Sequence, residues 1–137
     1  MSSTDERWEM PKFLKDIFGP DFFPPFPILP ESRRAFRRLH AAQDEILDRP
    51  TLDLKTRAII IFSITVALGY KAECKLWIQG MRNMGYSVEE IAEMILLAAI
   101  YSGVSRGIDA NMLLREVLEE DEERGKTKGN YYRLPRS

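Results

Sequence analysis

The sequence predicts an all-α domain of about six helices. Three observations carry that expectation. Apolar residues recur at helical spacing from Glu31 to Leu118, the breaks fall at Pro50, Gly69, Gly85 and Gly103, and no β-hairpin signal occurs. The length of 137 residues fits one domain. Apolar residues at 45% and charged residues at 30% are an ordinary globular balance, which excludes wholesale disorder and collagen-like repeats.

Residues 1–30 read as a Pro/Phe-rich N-terminal arm, not a core element. Six of the eight prolines lie there, together with Phe13, Phe18, Phe22, Phe23 and Phe26. Pro11 in a first turn, the pattern Phe13, Leu14, Ile17, Phe18, and Gly19 as a left-handed cap predict a short helix, followed by an extended Pro/Phe segment. So many aromatics are costly in water. The arm either docks on its own subunit or a neighbour, or closes over a pocket.

Residues 31–120 form the main helical domain. From Glu31, Phe36, Leu39, Ile46 and Leu47 line one face of a helix ending near Asp48. Arg33, Arg34, Arg37 and Arg38 share it with Glu31, Asp44 and Glu45, so they read as a solvated or intersubunit face. Thr56–Leu68 is rich in Ile, Val and Phe and by propensity alone fits a strand. Its 13 residues, an N-cap at Asp53 and a stop at Gly69 make it a helix instead, apolar all round and therefore expected to be buried on all sides. Over Lys71–Met84, Cys74, Trp77, Met81 and Met84 make a helical stripe ended by Gly85. Ser87 and Glu90 form a capping box that opens a helix through Tyr101, stopped by Gly103. A last helix runs from about Ser105 to Glu120, with Ala110, Leu113, Leu114, Val117 and Leu118 inward. Residues 121–137 are a polar C-terminal tail in which Tyr131 and Tyr132 can anchor on a partner subunit.

With 20 Lys+Arg against 21 Asp+Glu, the net charge of -1 offers no global field for nucleic acid or an anionic membrane, so neither is an expected partner. One cysteine, Cys74, excludes an internal disulfide, and one histidine, His40, excludes the multi-imidazole zinc sites. The first residues show no secretory pattern, and the expected compartment is the cytoplasm. The longest apolar run, Ala58–Leu68, has 11 residues broken by Ser63 and Thr65, against about 20 for a membrane span. Phosphate-binding glycine loops, HExxH, CxxC, GxSxG and EF-hand loops are absent, so no cofactor and no metal is expected.

The remaining candidate chemistry lies after Gly69. Glu73 and Trp77 stand at i and i+4 on one helix face, with Tyr70 one turn earlier and Gly80 making room one turn later. If that face is buried, desolvation turns Glu73 into a usable general acid or base. If not, Glu73 is a surface carboxylate paired with Lys71 or Lys75, or a structural one bonded to Arg57 or a backbone amide. Trp77 either stacks on an unsaturated ring or fills core space. Cys74, without a resolving partner, reads as packing and not as a redox thiol. His40 is a structural or solvent-facing histidine unless folding brings it to Glu73 for proton transfer.

The run Arg49-Pro50-Thr51-Leu52-Asp53-Leu54-Lys55-Thr56-Arg57, then Val66-Ala67-Leu68-Gly69, Glu73, Gly85, Glu89-Glu90-Ile91 and Ala99-Ile100-Tyr101-Ser102-Gly103-Val104, resembles the carboxymuconolactone decarboxylase family of alkyl hydroperoxidase D-like proteins. The resemblance covers about Arg49–Leu118. It implies an all-α subunit with a central helical hairpin, assembled as homotrimers or homohexamers, with small-molecule sites near subunit contacts. Decarboxylase members resemble this chain at Glu73 but carry a histidine where it has Trp77. Peroxidase-type members carry CxxC where it has Tyr70 and Glu73, with Cys74 one step out of register.

Two functions follow as expectations. The first is a metal-free lyase or decarboxylase acting on a small unsaturated carboxylic acid or lactone. Glu73 is its general acid/base, and Trp77, Tyr70, Arg57 and Tyr101 bind substrate. Arg57, or one of Arg33–Arg38 from a neighbouring subunit, holds the substrate carboxylate. The second is a non-catalytic binding or assembly member that has lost the histidine and the CxxC. A thiol peroxidase is a third and weaker reading, because one cysteine needs an external thiol to resolve it. A cavity at Glu73 separates the first two.

Overall fold

The computed structural model describes residues 12–19 and 30–123. Expectations for the other residues, the Pro/Phe segment and the anchoring tyrosines Tyr131 and Tyr132 among them, lie outside the described residues. Among the described residues six helices follow one another: α1 (Lys12–Phe18), α2 (Pro30–Leu47), α3 (Leu54–Leu68), α4 (Lys71–Asn83), α5 (Val88–Ser102) and α6 (Val104–Glu123). No strand occurs among the described residues.

Local chemistry sets the helix ends. Asp53 accepts from the Thr56 backbone amide at 2.7 Å and starts α3. That bond holds its carboxyl below the usual range. Gly69 at φ 72° closes α3 in the left-handed conformation. The capping box at α5 is complete: the Ser87 amide donates to Glu90 Oε1 at 2.9 Å, and the Glu90 amide donates to Ser87 Oγ at 3.1 Å.

α3 and α4 form the hairpin, and α6 and α5 complete a four-helix arrangement in which α4 packs on α6 and α5 on both α3 and α6. Phe62, Val66, Ile78, Met81, Ile91, Ile95 and Val117 are sealed between them.

Three expectations are corrected. α1 is a core element, with Phe13, Ile17 and Phe18 buried against α4. Gly80 explains its close approach, because a Cβ there would lie 2.6 Å from Phe18 and 2.7 Å from Ile17. Hydrogen bonds also tie α1 down: the Phe13 amide donates to Asp48 Oδ1 at 2.9 Å, and Asn83 Nδ2 donates to the Ile17 carbonyl. Second, α3 is not buried on all sides. Ile60, Ile64 and Leu68, at every fourth position, are 44–51% exposed, because the bundle covers only the opposite face. Third, the last helix runs past Glu120 to Glu123. Lys75 of α4 bridges Glu116 and Glu120 at 2.8 and 2.6 Å and pins these last turns.

Candidate functional site

Side-chain direction on α4 divides the expected constellation. Trp77 is 5% exposed and points into the core, whereas Glu73 is exposed. The indole meets Phe13 at 6.0 Å between ring centroids and Phe18 edge-on at 5.3 Å. The space beside Trp77 is therefore filled by α1. Tyr70 precedes the first turn of α4 and is 52% exposed, and Tyr101 stands 95% exposed on α5.

Arg57 lies at the other end of the hairpin. Twelve residues of α3 separate it from Gly69, which at the helical rise is roughly 18 Å, so within one chain it cannot hold a substrate against Glu73. Its guanidinium stands 5.0 Å over the Phe13 ring, its Nη1 donates to the Leu47 carbonyl, and its buried Nε meets no acceptor among the described residues. The structure thus brings Arg57, Phe13 and Trp77 into one packed chain of contacts and leaves Glu73, Tyr70 and Tyr101 on the surface. His40 sits on α2, and its side chain and the proposed proton transfer lie outside the described residues.

Cys74 is buried. Burial pushes its thiol up to about 11, with the Thr65 hydroxyl working against the shift and Asp109 adding to it. A folded-state value raised in this way adds stability below the unfolded value near 9 and loses it as pH rises towards 11. At pH 8 almost no thiolate is present. Iodoacetamide is expected to leave the native chain unmodified by intact mass and to label it once in denaturant; rapid labelling of the native chain would refute a packing role.

Glu73 lines none of three hollows found among the described residues. One is a groove of about 610 Å³ between α5 and α6, walled by Leu96, Val104 and Ile108. One, of about 420 Å³, lies where α2 turns into α3. The third, beside Cys74 and Arg106, holds only about 10 Å³. Among the described residues no three His, Cys, Asp or Glu side chains group to hold a metal ion, and no helix is long and apolar enough to cross a membrane.

Sequence reasoning missed the closure of α1 over Trp77, and the signal for it was Gly80, a glycine inside a helix where only close approach justifies its cost.

Comparison with known proteins places these features among relatives. A model described as the carboxymuconolactone decarboxylase family matches residues 30–116, so α1 lies outside the match. The 4-carboxymuconolactone decarboxylase of Acinetobacter baylyi (strain ATCC 33305 / BD413 / ADP1) is 28% identical over 79 residues, 58% of this chain and 59% of that protein. The chain thus spans about three fifths of the length of that relative. No solved structure matches.

Proposed function

The chain belongs to the carboxymuconolactone decarboxylase family, and from that premise we propose that it is a cytoplasmic, homo-oligomeric member that binds and assembles without the proton-transfer chemistry of the decarboxylases. The observation that carries this reading is Trp77. At the position where decarboxylase members resemble one another in a histidine, it is a core residue under Phe13 and Phe18, leaving no room for substrate beside it. Glu73 is exposed and lines none of the three hollows described above, so no substrate is enclosed against its carboxylate within one chain.

One observation favours a second reading. Leu68 and Tyr70, half-exposed apolar neighbours of Glu73 in the sequence, mark a surface that another copy can cover. A trimer or hexamer packed there would desolvate Glu73 and build a lyase site for a small unsaturated acid or lactone between subunits, with Tyr70 and Tyr101 as walls.

Carbon dioxide release from 4-carboxymuconolactone, the compound in the relative's name, separates the two. The expected result is no release above the uncatalysed rate, unchanged in Glu73→Gln. Turnover that falls by about two to four orders of magnitude in Glu73→Gln would replace the binding reading with the lyase.

A further inference from the structure

We propose that the hollow where α2 turns into α3 binds a small amphipathic carboxylate, its head held by Arg57 and Arg49 and its hydrocarbon body by the surrounding isoleucines and leucines. This site goes beyond the function proposed above. It lies roughly 18 Å along α3 from the Glu73 end of the hairpin, so its occupancy does not depend on whether Glu73 turns anything over.

The size and the walls define the ligand's body. About 420 Å³ falls in the range that takes small ligands. Ile46, Leu52, Ile60 and Ile61 make the walls, and apart from the two arginines only Thr51 brings a polar side chain. A ligand carrying several hydroxyls would lose its water partners there and find few replacements. An unsubstituted alkyl or aryl chain loses nothing and buries apolar area.

Charge defines the head. Arg57 is half-buried, and the acceptors it has, the Leu47 carbonyl and the face of Phe13, are both neutral. Its Nε is buried with no acceptor, and no ion pair to Arg57 or Arg49 occurs among the described residues. Asp53 feels the charge of Arg57 but is engaged at the N-cap of α3 with Thr56. Asp48 receives the Phe13 amide. A partly buried guanidinium without a counter-anion, at the edge of an apolar hollow, favours a ligand that supplies one carboxylate at one end. Phe13 of α1 stacks under the same guanidinium, so the head-group position is built from three segments of the chain and not from one helix end.

Calorimetric titration of the full chain with octanoate, and with octanamide as its uncharged isostere, tests this. Octanoate is expected to bind saturably at one site per chain, and octanamide at least about tenfold more weakly, the cost of losing a charge-assisted contact. Ile60→Glu, at a 44% exposed position that tolerates a polar side chain, puts a carboxylate into the hollow and should abolish octanoate binding with the helical circular dichroism unchanged. Arg49→Gln, at an exposed position, should weaken binding several-fold. Equal binding of acid and amide, octanoate binding that survives Ile60→Glu, or no saturable binding would overturn the proposal. So would a change in sedimentation on Ile60→Glu, which would identify a second copy as the occupant.

Discussion

Trp77→Ala lowers the unfolding free energy by about 3–5 kcal/mol, the range for deleting a large aromatic from a close-packed interior. The indole is 5% exposed and touches two rings of α1, so truncation both opens a cavity and removes the platform on which α1 rests. The loss therefore has a local signature beside the global one. Trypsin should cut at Lys15, within α1, faster in the variant than in the parent under native conditions. Denaturant unfolding measures the first effect and timed digestion the second. A change of less than about 1 kcal/mol, with Lys15 protected as before, would mean that the pocket collapses without loss and that Trp77 is not the keystone of this contact.

The second large effect concerns assembly. Ile64 and Leu68 on α3, Leu97 and Ile100 on α5, and Ile108 and Met112 on α6 are each about half exposed or more, and α5 packs against both other helices. Apolar stripes on three neighbouring helices exceed what a soluble monomer ordinarily leaves bare. Sedimentation of the parent chain is expected at three or six times 15.9 kDa. The double substitution Leu97→Glu, Ile100→Glu should shift it to the mass of one chain while helical content stays. A parent that sediments at 15.9 kDa would leave these stripes without a partner copy and remove the intersubunit lyase reading with them.

The helix ends were legible because each depends on residues within a few positions. Asp53 needs only Thr56, Ser87 needs only Glu90, and Gly69 needs only its own freedom at positive φ. The candidate site was less legible, and α4 shows why. Glu73 and Trp77 lie only about 40° apart on the helical wheel, so the edge of the buried face passes between them. Which of the two goes inside depends on α1, whose rings come from some 60 positions earlier in the chain and whose approach depends on Gly80. Periodicity reports that a face exists and not which distant element covers it. The same holds for α3, whose uniform apolar character does not distinguish packing inside one chain from packing between chains. Arg57 was picked out for a carboxylate, but its distance from Glu73 follows from the length of α3 and not from any motif.

The attachment of α1 also sets a timetable for synthesis. Its ring platform is Trp77 and its closest backbone neighbour is Gly80, so Phe13, Ile17 and Phe18 leave the ribosome about 60 residues before that platform exists. At 5–20 residues per second that interval is roughly 3–12 s. Through it the nascent chain carries three bare apolar side chains in a helix too short to persist alone, which makes this stretch the natural landing point for a ribosome-bound chaperone and makes slow translation between α1 and α4 the condition most prone to aggregation.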